Sequence, residues 1–283
     1  MEIEHLRIFP ALRKASARLA SMNASEFVER SLHGPSVHLL RARSKMLRPS
    51  LVLLGAQAVG ENPDRFVDLA VAAELIHVSS LIHDDIIDGY RKRRGADAVH
   101  VRYGSQAAIL AGDALISKAV EIAAQYGPAT LKSLSRATMN MCAGEILDYN
   151  YRKARKIPTL AQYRKVAYLK SGSLIGACWN AASVYKSGRN AERMYAAGSE
   201  MGIAFQIRDD IFDFIRERRK GTSNLVPNAV TSILRDYHVD RYSAVVRAVE
   251  LNNRYIDASG KRLGGTREGR LLSRYASLIR VSV

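Results

Sequence analysis

The chain has 283 residues, 43 of them Lys or Arg against 27 Asp or Glu, for a formal net charge of +16. Apolar residues at 47% and charged residues at 25% are an ordinary globular composition, at a length that can bury a substantial core, so a largely disordered, collagen-like or disulfide-stapled chain is excluded. The two cysteines, Cys142 and Cys178, lie in apolar, helical-looking settings and neither belongs to a CxxC pair; no zinc or redox motif is visible, and a reducing compartment is the simpler reading.

Prolines at 10, 35, 49, 63, 128, 158 and 227 separate long stretches rich in Ala, Leu, Arg and Glu, which are good helix formers. The breakers predict helices near 36–58, 64–89, 106–126, 129–150, 160–186, 190–217, 228–251 and 267–281. In 64–89 the residues Phe66, Leu69, Ala70, Ala73, His77, Ser80, Leu81, Asp84 and Asp88 follow a three-to-four step; in 129–150 Leu131, Leu134, Thr138, Met141, Glu145 and Asp148 do the same. Gly260, Gly264, Gly265 and Gly269 mark a flexible basic stretch before the last helix. No period-two strand pattern, repeat or long linker is found, so the expected architecture is one all-helical domain over 1–283. No run of 18 apolar residues occurs, so no spanning helix is expected. Glu2 and Glu4 stand where a secretory signal would carry bases, which points to a cytoplasmic protein.

The positive charge is uneven: residues 214–283 hold 14 Lys/Arg and 6 Asp/Glu. Such a balance attracts anions, whether nucleic acid, an anionic membrane surface or a phosphorylated small molecule. There is no Cys/His finger and no aromatic–basic interleaving of the RNA-binding kind. For most individual residues a solvated basic surface is a sufficient explanation.

Two acidic clusters do not read as core. Asp84-Asp85-Ile86-Ile87-Asp88 places three carboxylates in five residues at the end of an apolar helical face, and Asp209-Asp210-Ile211-Phe212-Asp213 repeats the pattern. In each, the first and last aspartates are four apart and share one helix face, where like charges repel unless a cation relieves them. A single DDxxD is commonly a solvated helix end. Two copies, each closing a mostly apolar helix, point instead to a hard divalent cation, chiefly Mg²⁺, and if the helices face each other six carboxylates line one cavity. Because Mg²⁺ takes its remaining ligands from water and substrate phosphates, a basic chain with these clusters suggests a diphosphate held by metal and by Lys/Arg.

At this point the sequence resembles the trans-isoprenyl diphosphate synthases, the polyprenyl synthetase family, of the geranylgeranyl diphosphate synthase type. The resemblance runs from about residue 40 to the end. It is carried by the two aspartate motifs, Glu74-Leu75-Ile76-His77 before the first, Arg93-Arg94-Gly95 after it, Ala111-Gly112-Asp113-Ala114-Leu115, Lys170-Ser171, and Gln206. Three places depart from the family pattern. Met46 replaces a basic residue in Arg43-Ser44-Lys45-Met46-Leu47-Arg48-Pro49; Asn224 stands at an aspartate place; and Ala229 stands at a lysine place, leaving Arg219 or Lys220 as substitutes for a phosphate contact.

The resemblance implies an isoprenoid-synthase helical bundle around a central apolar pocket, usually a homodimer, with two or three Mg²⁺ per active site. It implies head-to-tail addition of isopentenyl diphosphate to an allylic diphosphate: the allylic C–O bond ionises, the alkene attacks the cation, and a proton leaves. Asp84, Asp85, Asp88, Asp209, Asp210 and Asp213 would hold metal. Arg93, Lys170, Ser171 and Gln206 would bind the allylic diphosphate; Lys45, Arg48, His77 and Arg94 would bind isopentenyl diphosphate without metal, arginine suiting phosphate through its planar fork. Lys170 and Asp84, Asp85, Asp88 and Asp209 would carry the chemistry, and nucleic acid is no partner; a peripheral contact with a membrane fits the charge.

The residues before the first motif wall the family's product pocket. Here Ser79 and Ser80, with Ile76 one turn deeper, leave it open, so the expected product is C20, with C25 or longer as the alternative, and Ser79→Phe should shorten it. Asn140, Met141 and Gly144 on the next helix are the other residues that could close it. His83 carries no family role and reads as structural, and Glu145 and Asp148 either line the site or form surface pairs. Rival readings are a non-catalytic partner subunit of such a synthase, a class I terpene cyclase, and a nucleic-acid binder; the six aspartates and the isopentenyl-site bases favour the synthase.

Overall fold

The structure, a computed structural model, describes residues 8–42, 44–186, 188, 190–219 and 226–281. Its residues group into two compact units: Met1–Ser135 with Ala181–Gly188, and Arg136–Asn180 with Arg189–Val283.

In the first unit, α1 (Phe9–Ala20), α2 (His33–Val37) and α3 (Leu47–Ala58) precede α4 (Val67–Ile87). A hairpin of β1 (Lys92–Arg93) and β2 (Ala96–Asp97) follows, then α5 (Val99–Tyr103), α6 (Ser105–Ala124) and the start of α7 (Pro128–Lys153). α4 is apolar on nearly all sides, as a core helix must be. Leu69, Ala70, Val71, Ala72, Ala73, Leu75, Ile76 and Val78 are all buried, and α1, α3 and α6 pack around it. Together with its 3₁₀ entry turn, Pro63–Ile87 is long and apolar enough to cross a membrane by composition, but two thirds of its most apolar 18-residue window is buried inside the protein.

The second unit takes the rest of α7, then α8 (Leu160–Ala167), a π-helical turn over Tyr168–Gly172, α9 (Ser173–Tyr185), α10 (Ala191–Arg219), α11 (Ala229–Tyr237), α12 (Arg241–Leu263) and α13 (Arg267–Ala276). α9 ends in residues that group with the first unit. The core is Ile203, Ile207 and Ile211 of α10 with Val230 and Ile233 of α11 and Ala244, Ala248 and Leu251 of α12. Two buried polar ties lock α12 to α10: Asn252 donates to the Ala204 carbonyl at 2.6 Å and Ser259 to that of Ala197 at 2.8 Å.

The all-α reading holds among the described residues, apart from the two-residue strands of the hairpin. The breaks differ in informative places. The helix expected over 36–58 is interrupted between α2 and α3, where Met46 adopts φ +50. The helix expected over 228–251 is two: His238 takes φ +51, and Asp240 caps α12 by accepting from the Tyr242 and Ser243 amides, a cap signal of the ordinary Asp kind. The helix read over 160–186 contains the π turn, which propensities cannot reveal because it arises from packing. There a methyl at Gly202 would lie 2.7 Å from Gly172 Cα, so α10 and the turn touch backbone to backbone.

Candidate active site

In the first unit, the end of α4 carries the first aspartate motif. Asp88 caps the helix, its amide bonded to the Asp84 carbonyl at 2.8 Å, so these two carboxyls stand one turn apart and both are half-buried. Asp85 points the other way and is fully buried. The hairpin explains its partner. Arg94 and Gly95 both take positive φ, +53 and +83, which closes a tight two-residue turn and returns the chain to α4. Arg93 Nε then donates to Asp85 Oδ1 at 2.8 Å and its Nη2 reaches the same oxygen. Arg94 donates to Glu74 Oε1 at 3.2 Å and to the Leu39 carbonyl at 3.3 Å. Burial pushes the Asp85 carboxyl up, against the opposing pull of Arg93.

Glu74 is also the anchor for the segment before α3. Ser44 Oγ donates to Glu74 Oε1 at 2.8 Å and accepts from the Met46 amide at 3.1 Å. This fixes the left-handed turn at Met46 that starts α3, with Lys45 exposed and Arg48 half-buried at its first turn. His77, one turn after Glu74, is held well below the usual imidazole range, first by burial and then by the positive charges of Arg48, Arg94 and Arg93. His77 is therefore neutral at pH 7, with one ring N–H to donate. Sequence-predicted His77, Arg48, Arg93 and Arg94 thus share one neighbourhood, while Arg93 and Arg94 also carry structural ion pairs.

Ile76 and Ser79 are buried; the Ser79 hydroxyl has no hydrogen-bond partner, whereas Ser80 donates back to the His77 carbonyl at 2.8 Å. His83 accounts for the glycine of Ala111-Gly112-Asp113: its ring occupies the space a side chain at 112 would need, and its Nε2 lies 3.2 Å from the Ile109 carbonyl. That matches its reading as structural.

In the second unit, α10 carries the second motif. Asp210 Oδ2 accepts from the Ala229 amide at 2.9 Å, and Oδ1 accepts from Gln206 Nε2 at 2.9 Å. Gln206 Oε1 in turn accepts from Ser171 Oγ at 2.6 Å. One chain of hydrogen bonds so joins the π turn, the Gln and the motif. Burial raises the Asp210 carboxyl to about 6, against the Ala229 amide and the side chains of Tyr163 and Gln206. Asp209 is half-buried, and Asp213 is exposed with Arg216 3.3 Å away. Ala229, at the family's lysine place, is wholly buried and serves Asp210 through its backbone alone. Lys220 and Asn224 lie outside the described residues.

Lys170 sits on the π turn, its ammonium 2.7 Å from Glu145 and 2.8 Å from Asp148, both on α7. Burial disfavours the ammonium, but the two carboxylates outweigh it and raise its pKa. Asp148, Tyr163, Lys170, Gln206 and Asp210 line a small solvent-open pocket within this unit. Glu145 and Asp148, undecided from sequence, prove to be bound to a predicted site residue; their spacing of three on one helix face was the available signal. Tyr163 of this pocket carried no sequence signal.

The donors suit a magnesium ion. Among the described residues no three His, Cys, Asp or Glu side chains form a metal-holding group. Each motif instead offers a pair of carboxylates one turn apart, the number Mg²⁺ accepts when water and substrate oxygens complete its shell. Asp85, which points away from the first pair and is tied to Arg93, keeps one carboxylate oxygen, Oδ2, buried without a hydrogen bond.

The chain is 38% identical over 200 residues to the short chain isoprenyl diphosphate synthase of Methanothermobacter thermautotrophicus, covering 68% of this chain and 61% of that protein. It spans about three fifths of the length of the curated relatives it matches. Its fold superposes on geranylgeranyl pyrophosphate synthetase from Geoglobus acetivorans with a TM-score of 0.87 at 24% identity, covering 97% of this chain and 99% of that one. For geranylgeranyl pyrophosphate synthetase from Pyrococcus horikoshii the TM-score is 0.81 at 26% identity, covering 97% and 96%. The polyprenyl synthetase family profile matches residues 29–224, more than two thirds of the chain and both aspartate motifs, and the chain belongs to that family.

Proposed function

We propose that this chain is a Mg²⁺-dependent trans-prenyltransferase that joins isopentenyl diphosphate to an allylic diphosphate, giving a prenyl diphosphate of C20 or longer. The observation that carries the reading is the presence of both aspartate motifs, one at the end of α4 and one within α10, each with a one-turn carboxylate pair, alongside the His77–Arg48–Arg94 neighbourhood. Names of the relatives, short chain isoprenyl and geranylgeranyl diphosphate synthases, support it.

Bound magnesium would supply neutralising charge for the departing diphosphate. The chain's own groups do the rest. Lys170 and Gln206 hold the allylic diphosphate, and Arg93 stands beside the first motif to do the same. Arg48, Arg94 and Lys45 bind the diphosphate of isopentenyl diphosphate, with the neutral His77 donating one N–H. The allylic C–O bond breaks, the isopentenyl alkene forms the new C–C bond, and the proton lost from the adjacent carbon restores the double bond.

Labelled isopentenyl diphosphate with dimethylallyl, geranyl or farnesyl diphosphate and Mg²⁺ tests this. A linear product of C20 or longer is the expected result; a cyclic hydrocarbon, or no turnover with any primer, contradicts it. In the same assay Ser79→Phe should shift the product to a shorter chain while the protein remains folded by circular dichroism. Unchanged product length removes Ser79 from the pocket wall.

A further inference from the structure

The second unit holds a four-membered charge cluster of which the reaction above uses only one member. Lys170 Nζ reaches Glu145 Oε2 at 2.7 Å and Asp148 Oδ2 at 2.8 Å. Arg152 brackets the same two acids, with Nη2 3.1 Å from Glu145 Oε1 and Nε 3.7 Å from Asp148 Oδ2. Glu145, Asp148 and Arg152 recur at i, i+3 and i+7, one face of α7. We propose that Glu145 and Asp148 are positioning residues that aim the Lys170 ammonium at the diphosphate of the allylic substrate. The proposal rests on the prenyltransferase reading and assigns a role to residues which that reading leaves idle.

Three features support it. The first is valence: an ammonium has three N–H donors, two are directed to the carboxylates, and the third is available for a phosphate oxygen in the pocket that Lys170 shares with Asp148, Gln206 and Asp210. The second is charge. Two acids alone beside the pocket would repel a diphosphate, but Lys170 and Arg152 balance them, so the acids orient the lysine without adding net negative charge. A free lysine samples many rotamers; one tethered at two points does not. The third is backbone geometry. A methyl at Gly144 would lie 2.6 Å from the Lys170 amide nitrogen, so α7 meets the π turn directly beneath Lys170 and fixes its Cα relative to Glu145.

The test compares wild type with Asp148→Ala, Asp148→Asn and Glu145→Ala/Asp148→Ala. KM is measured separately for the allylic and isopentenyl substrates, and calorimetry gives the Kd of inorganic pyrophosphate with Mg²⁺. Truncation should raise the allylic KM and the pyrophosphate Kd about tenfold while the isopentenyl KM moves by less than about twofold, the scale of a misplaced binding group. Asp148→Asn, which keeps an acceptor oxygen, should recover most of the loss. Unchanged allylic KM and pyrophosphate Kd in the double variant overturns the proposal, and so does an equal change for both substrates, which would mark a packing role. If the double variant does not fold, the graded order of Ala, Asn and wild type decides by the same titration. Graded pyrophosphate affinities across the variants, with a wild type that elongates no primer, overturn the prenyltransferase reading and not the positioning role.

Discussion

At the scale of single residues, the environment decides what each charged group can do. His77 shows it most sharply. Burial and three arginines keep its imidazole neutral in the folded protein, whereas the unfolded chain binds a proton near pH 6.5. The folded pKa is depressed, so the unfolded state holds more protons below that pH and stability falls as pH drops. The slope approaches about 1.4 kcal/mol per pH unit for one proton. Denaturant unfolding of wild type and His77→Gln between pH 7.5 and about 5 should therefore converge at the acid end, with the variant losing less stability. Parallel curves would mean that His77 titrates freely. From its residues alone the sequence marked His77 as a histidine on an apolar face, and only the family resemblance gave it a substrate-binding role. That it is held neutral depends first on burial and then on the charges of Arg48, Arg94 and Arg93, which tertiary packing brings to it and no periodicity announces.

At the scale of elements, most of the helices were legible because their apolar periodicity and caps agree, as Asp240 shows at the start of α12. What was not legible came from tertiary contact. The π turn over Tyr168–Gly172 holds Lys170 and Ser171 in place, and it exists where Gly172 and Gly202 let two backbones meet. Gly202→Ala should destabilise the protein by about 1–3 kcal/mol through overpacking, read as a lower Tm. It should also weaken allylic binding by shifting the turn. A variant with unchanged Tm and unchanged allylic KM would show that the contact is slack. The two-strand hairpin was missed for the opposite reason: four strand residues are too few to show alternation, and only Arg94-Gly95 hinted at a tight turn.

At the scale of the whole chain, net charge and motif order in the sequence place the protein among diphosphate chemistries. The fold class followed from composition and the missing strand pattern. The assembly did not, because it depends on what the surface leaves uncovered. In the first unit α6 exposes Ile109, Leu110 and Val120; in the second α7 exposes Met139 and Ile146. Adjacent exposed apolar residues such as Ile109 and Leu110 offer a surface for association, and light scattering should find a dimer that Leu110→Glu shifts toward monomer. Wild-type protein of monomer mass would remove self-association from the account.

The central claim is that both aspartate motifs serve one elongation reaction. It is tested most directly by single-turnover elongation of farnesyl diphosphate at saturating Mg²⁺ in wild type, Asp84→Asn and Asp209→Asn, with folding checked by circular dichroism. Each substitution removes one of the carboxylates proposed to hold metal and should slow the chemical step by about 10²-fold or more, the usual cost of losing a group that stabilises developing charge. Near-wild-type rates in either folded variant would contradict the account.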